Sequence, residues 1–240
     1  MKNKAKGAEI DFMKSKLIVI EGLDGCGKNT QTQLLADTFE KSGIKYKYLS
    51  FPNYSSPSSS LVKMYLGSEF GKNPSDVNAY AAASFFAVDR YASFKMSWEK
   101  IYCEPGIILC DRYTTSNTFY HMCKLPENKW SEYLTWLYDY EYNKLGLPEP
   151  DAVIYLDMPP EISQDLMKKR YMGDETKKDI HEANLDYLKK CRKAADYVRN
   201  HGKWFYICCA QDGKIKDKNL IHDEIIAFLR KDVLNGIEIQ

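Results

Sequence analysis

Gly22-Leu23-Asp24-Gly25-Cys26-Gly27-Lys28-Asn29-Thr30 is the stretch on which the fold turns. Before it stands an apolar run, Leu17-Ile18-Val19-Ile20, closed by Glu21. After it Leu34, Leu35, Thr38 and Phe39 recur at helical spacing until Ser42-Gly43 stops the pattern. Strand, glycine-rich turn and helix in that order make G-x-x-x-x-G-K a phosphate cradle. Glycines let the backbone wrap an oxyanion in conformations that a Cβ forbids. The amides and the helix start supply partial positive charge, and Lys28 reaches the outer phosphates. The position after Lys28, normally Ser or Thr ligating Mg²⁺, holds Asn29. Its amide oxygen is also a hard neutral ligand, and Thr30 stands next to it.

Four more short apolar runs, at 46–51, 107–111, 153–157 and 204–209, read as buried parallel strands. Helical patterns separate them: Ile180, Tyr187, Leu188, Cys191, Ala195 and Val198 share one face, and Ile221, Ile225 and Leu229 another. Alternation of this kind predicts an α/β fold, a five-stranded parallel sheet flanked by helices on both faces. Ligands of such a sheet bind beyond the carboxyl ends of its strands. One domain is expected over residues 16–235, preceded by a flexible extension over 1–15. Two segments interrupt the alternation, a Pro/Ser-rich loop at 52–60 and a charge-dense stretch at 168–182.

Composition narrows the function classes. The 240 residues carry 34 Lys+Arg against 33 Asp+Glu, a formal charge of +1, which argues against coating nucleic acid by bulk charge. Nowhere do about 18 apolar residues run together, so no spanning helix is expected. Seven cysteines without a C-x-x-C pair support neither a zinc site nor a disulfide frame, and a reducing cytoplasm is the expected location.

At the end of the third strand stand Asp111-Arg112-Tyr113. An aspartate there is placed to hold Mg²⁺ or its water, and the arginine is a bidentate clamp for a second phosphate. Spacing alone also allows a structural strand-end ion pair. A switch GTPase is excluded, because Asn128-Lys129 and Asn143-Lys144 are followed two residues on by Ser131 and Gly146, not by a guanine-reading aspartate.

Over roughly residues 16–230 the chain resembles the thymidylate kinases, P-loop enzymes that phosphorylate dTMP to dTDP with ATP and Mg²⁺. The likeness rests on Leu17 to Gly22 with Asp24, Phe51-Pro52, Phe85-Phe86-Ala87-Val88-Asp89-Arg90, Asp111-Arg112-Tyr113 with Ser116, and Gly146-Leu147-Pro148-Glu149-Pro150-Asp151. The resemblance implies that residues 22–30 bind the ATP phosphates. It implies a dTMP site of Phe51, Tyr54, Phe86, Arg90, Arg112, Tyr113, Ser116 and Tyr120. Phe86 would stack on thymine and Arg90 read a thymine carbonyl. Their i, i+4 spacing puts both on one helix face, although spacing alone leaves Phe86 equally a core aromatic. Tyr120 would lie against the deoxyribose and Arg112 would hold the acceptor phosphate.

Lys28, Asp24, Asp111, Arg112 and Arg170 are the expected catalytic set, with Asn29 and Asp111 at the metal. Residues 168–182 fall where the family keeps a mobile lid. With Gly25 where some members carry a loop arginine, Lys168, Lys169 or Arg170 must bring the catalytic cation, and Arg170 suits it best. The family's usual arginine after Phe51-Pro52 is replaced by Asn53-Tyr54, and its lid stretch by Lys178-Asp179-Ile180-His181-Glu182. A homodimer is usual in the family. Two alternatives stay open, a kinase for another nucleotide or nucleoside and a nucleotide binder without catalysis.

Overall fold

A computed structural model of the chain describes residues 14–174 and 178–234. Five strands pair in parallel in the order β2-β3-β1-β4-β5: β1 (Lys16–Glu21), β2 (Tyr46–Ser50), β3 (Ile107–Asp111), β4 (Ala152–Asp157) and β5 (Phe205–Cys208). The expected runs are all strands. The second stops at Ser50, one residue early, where Phe51 enters a cis bond to Pro52. A small antiparallel hairpin that the apolar pattern misses, β6 (Ala210–Gln211) with β7 (Lys214–Ile215), follows β5.

Helices cover both faces. They are α1 (Lys28–Lys41), α2 (Ser60–Leu66), α3 (Ala79–Ser93), α4 (Glu99–Tyr102), α5 (Thr114–Tyr120), α6 (Trp130–Tyr138), α7 (Pro160–Arg170), α8 (Leu185–His201) and α9 (Lys218–Phe228). Ile18, Ile20, Leu109, Ile154 and Leu156 face α1 and α9 through Leu35, Phe39, Ile221 and Ile225. Leu17, Val19, Ile108, Cys110 and Val153 point the other way, toward Phe94 and Trp98. Alternate residues of β1 thus serve two cores, which is why its run is apolar without a break.

Two expectations about the second half change. Ile180 does not belong to α8; it is buried against Tyr65 and Ala82 ahead of that helix. Lys168, Lys169 and Arg170 are the last turn of α7, not part of an irregular segment. The topology sets the site: β1 lies between β3 and β4, with Ile20 beside Asp111 and Glu21 beside Tyr155. Strand order reverses at β1, and the crevice beyond its carboxyl end is the place for a ligand.

Candidate active site

The phosphate loop leaves β1 at Gly22 and enters α1 at Gly27. Gly22 and Gly25 have φ of +145° and +75°. A Cβ on Gly22 would stand 2.7 Å from the Leu156 carbonyl, and one on Gly25 2.8 Å from that of Ser163, so both positions require glycine. The start of α1 has neither a side-chain cap nor an acidic residue in its first turn, which leaves its amides to an anion. Lys28 is buried within the loop, its Nζ donating to the carbonyls of Gly22 (2.9 Å) and Leu23 (2.8 Å). Cys26 is buried under the loop, whereas Asn29 and Thr30 are exposed on the first turn.

Asp111 ends β3 beside the loop, and its Oδ1 is buried without a hydrogen-bond partner. Arg112 follows with φ +67°, a left-handed conformation that costs a non-glycine residue on the order of 1–3 kcal/mol. That turn throws the guanidinium back across the loop. Nη1 donates to the Gly22 carbonyl at 3.3 Å, and Nη2 pairs with Asp24 Oδ1 and reaches Tyr120 Oη at 3.5 Å. Tyr120 donates to the other Asp24 oxygen at 2.6 Å. Burial pushes the Asp24 carboxyl up, but Arg112, with Lys28 and the Tyr120 hydroxyl, outweighs it and holds the group at about 2.

Beside this cluster opens a cavity of about 480 Å³ including its mouth. Every expected dTMP-binding residue lies on its wall: Phe51, Tyr54, Phe86, Arg90, Arg112, Tyr113, Ser116 and Tyr120. Phe86 is half-buried there, 5.2 Å from the His121 ring, and also packs against the buried cluster of Tyr65, Ala82 and Ile180. Tyr54 is 53% exposed at the mouth. The loop that carries it is tied to α3 by Asp89, which accepts from the Asn53 amide (2.8 Å) and the Ser58 hydroxyl (2.5 Å).

The expected residues are held by others that the sequence pattern did not disclose. Glu141, fully buried after α6, accepts from Arg90 Nε (2.7 Å) and Nη2 (2.6 Å), from Thr114 (2.7 Å) and from Asn117 Nδ2 (3.0 Å). Two of the three Arg90 nitrogens are therefore committed to a carboxylate, Nη1 donates to the Tyr113 carbonyl at 3.4 Å, and the residue lines the cavity. Asn117 spends its amide hydrogens on Glu141 and the Ala83 carbonyl (3.2 Å), which assigns Oδ1 as the acceptor on the cavity side. Glu21 plays the matching role under α5, accepting from the Tyr113 amide, Thr115 and Ser116. The Ser116 proton is thereby drawn away from the cavity.

The charged segment behaves differently from its composition. Ile180, His181 and Glu182 are buried, and Asp179 and His181 line the cavity. Asp179 Oδ1 accepts from the amides of His181 (2.8 Å) and Glu182 (2.9 Å). Lys168 and Lys169 are exposed on α7, and the Arg170 side chain lies outside the described residues. So do residues 1–13, most of the expected extension.

A parallel sheet with a phosphate loop at its switch point, and beside the loop an arginine-gated cavity walled by aromatics, defines a P-loop nucleotide kinase. The chain belongs to the thymidylate kinase family, whose model matches residues 20–225. It is similar to the thymidylate kinase of Plasmodium falciparum, 32% identical over 225 residues and 92% of each chain. It is similar also to that of Mycobacterium tuberculosis, 33% identical over 159 residues, 66% of this chain and 73% of the relative. The solved thymidylate kinase of Candida albicans shares the fold, with a TM-score of 0.66 at 20% identity over 90% of this chain and 92% of that one. The protein is accordingly a phosphotransferase that converts dTMP to dTDP with ATP as donor. Among the described residues no helix is long and apolar enough to cross a membrane.

Proposed function

We propose that the cavity beside Arg112 binds dTMP, that residues 22–30 bind the ATP phosphates, and that the γ-phosphoryl group passes between them. The observation that carries this reading is the Arg112 guanidinium, which touches Gly22 of the phosphate loop and Asp24 and Tyr120 of the cavity wall. One cation facing both compartments suits two phosphates meeting end to end. The dTMP phosphate, with a second pKa of about 6, is largely dianionic at neutral pH and is itself the nucleophile. One of its oxygens attacks the γ-phosphorus as the bond to the ADP oxygen breaks. No strong base is required. Asp24, held at about 2 by its ion pair, is too weak a base for a nucleoside hydroxyl, which disfavours a nucleoside acceptor.

Base selection follows from Asn117 and Arg90. An acceptor (Asn117 Oδ1) beside a donor (Arg90 Nη1) matches N3–H and O4 of thymine, whereas cytosine offers the reverse pattern. Phe86 stacks on the ring, Phe51, Tyr113 and Ser116 complete the wall, and Tyr54 stands at the mouth where the family's arginine would bring charge. Tyr120 packs against the sugar.

The buried, unpartnered Asp111 Oδ1 beside the loop fits a hard cation. Asp111, with Asn29, would hold Mg²⁺. Among the described residues no group of three or more His, Cys, Asp or Glu forms a cage, in keeping with an ion bound through one or two protein ligands and substrate phosphates. When bound, the ion neutralises charge on the transferring group. Lys28 neutralises the outer phosphates, and Arg170, at the end of α7, is the added cation of the closed site.

The outer face of α3 and the turn after it expose Val88, Tyr91 and Met96, the last at 80%, a surface suited to a homodimer. Seven free cysteines accord with the cytoplasm.

The test is ADP release with dTMP, dUMP, dCMP and thymidine, each with and without Mg²⁺. The expected result is Mg²⁺-dependent turnover best with dTMP, dCMP lower in kcat/KM by roughly 10²-fold or more, and no turnover of thymidine. Equal rates with dCMP would overturn the base assignment.

A further inference from the structure

Two cysteines that take no part in the scheme above touch each other. Cys123 and Cys191 are 68 positions apart in sequence, yet their sulfurs lie 3.5 Å apart. Cys123 is in the turn Met122–Lys124 that follows α5, and Cys191 is in α8. Among the described residues this is the one pair of thiols joined by a hydrogen bond. Cys208 and Cys209 adjoin in sequence, but the first is exposed and the second buried, and their sulfurs donate to different carbonyls, those of Ala210 and Ile207.

The two sulfurs are not equivalent. Cys123 Sγ donates to the Tyr120 carbonyl at 3.5 Å, which assigns Cys191 as the donor across the sulfur–sulfur contact. That bond, aided by the ammonium of Lys124 next in the chain, lowers the Cys123 pKa against the cost of burial, whereas burial pushes the Cys191 thiol up. The more acidic sulfur is also the more accessible, 8% exposed against 0% for Cys191. Tyr120 links the pair to the acceptor cavity. Its carbonyl accepts from Cys123 and from the Tyr187 hydroxyl of α8, while its phenol donates to Asp24 and its ring lines the cavity.

We propose that Cys123 and Cys191 form a reversible oxidation site, which hydrogen peroxide closes into a disulfide that ties the end of α5 to α8 and weakens the acceptor site through Tyr120. The Cys123 thiolate attacks one peroxide oxygen, the O–O bond breaks, and the departing hydroxide takes up a proton as water. The Cys191 sulfur then attacks the resulting Cys123 sulfenic acid, and its proton leaves with the displaced hydroxyl as a second water. Two thiols are oxidised to one disulfide as one peroxide is reduced to two waters. The sulfurs must close from 3.5 Å to about 2.05 Å. Closure pulls on the turn directly after Tyr120, and oxidation removes the Cys123 proton that the Tyr120 carbonyl accepts. A disulfide of this kind is a transient state of a thiol pair, not a frame for the fold.

The effect on dTMP rests on the acceptor reading above; the bond itself does not. The experiment exposes the native protein and Cys123→Ala to hydrogen peroxide, blocks the remaining thiols by alkylation, and digests with trypsin without reductant. Mass spectrometry of the native digest should show the peptide Tyr113–Lys124 bonded to one containing Cys191, and dithiothreitol should separate them. Recovery of both cysteines as alkylated thiols, or of Cys123 solely as a sulfinic acid, overturns the site. In the same samples kcat/KM for dTMP should fall by about tenfold or more in the oxidised native protein, the scale of a small misplacement near the reacting groups, and return with dithiothreitol. Cys123→Ala should keep its activity in peroxide. An equal loss in Cys123→Ala, or a bond formed without loss in the native protein, overturns the coupling to the acceptor site. A native protein that peroxide cross-links but that is inactive on dTMP supports the bond and removes only the acceptor reading.

Discussion

The phosphate loop and the acceptor cavity share the Arg112 guanidinium and are built on opposite plans. The loop is nine consecutive residues whose working parts are backbone amides, glycines at positive φ and one lysine. The cavity draws on α3, α5, the turn after α6 and the segment after α7, and its working parts are side chains fixed by buried carboxylates. A phosphate offers the same oxyanions whatever carries it, so a contiguous backbone device suffices. A base and a sugar must be distinguished, and this takes directional groups brought from distant parts of the chain.

If the two plans are separable, damage to one should leave the other's ligand bound. The largest effect is expected from Lys28→Met, a fall in kcat of about 10³-fold, on the scale of losing a cation at the transferring phosphoryl group. Affinity for dTMP, measured by calorimetry, should hardly change. A matching loss of dTMP affinity would break the distinction between the halves.

Glu141→Gln attacks the other plan. The carboxylate is wholly buried and pairs with an equally buried guanidinium. Removing its charge leaves Arg90 under-compensated, at a cost of about 3 kcal/mol or more in denaturant unfolding. KM for dTMP should rise while ATP affinity holds. Unfolding within about 0.5 kcal/mol of the native protein would mean that Arg90 is held by packing instead.

The same difference explains what could be read in advance. The loop was legible because its chemistry is local, a strand, three glycines and a lysine within reach of one another. The five strands were legible because burial on both faces makes continuous apolar runs. Glu141 gave no such signal: it sits in Asp139-Tyr140-Glu141-Tyr142-Asn143-Lys144, polar enough to pass for surface, and its partner Arg90 is 51 residues away. Asn117 adjoins the recognised Ser116 and could have been found from it. Asp179 and His181 were hidden by the charges around them, since a composition count cannot tell a solvated turn from one folded over a cavity. The hairpin after β5 did carry a mark, Asp212-Gly213, at a length too short for the apolar pattern.

The smallest effect sharpens the contrast within the cavity itself, between its two aspartates. Asp24 is held down at about 2, principally by Arg112 against the cost of burial, whereas burial, with Asp24 nearby, pushes Asp179 up to about 7. An unfolded chain releases the Asp179 proton near pH 4. Between about pH 4 and 7 the folded state keeps a proton that the unfolded state has lost, so stability falls as pH rises through this window and stays lower above it. Asp179→Asn is neutral throughout and keeps an oxygen for the amides of His181 and Glu182. It should match the native protein closely at pH 4 and exceed it at pH 8, read as a Tm advantage of several °C that grows between the two pH values. A Tm difference that does not change between the two pH values would mean that Asp179 ionises freely when folded, and that the cavity holds its two carboxylates in like surroundings after all.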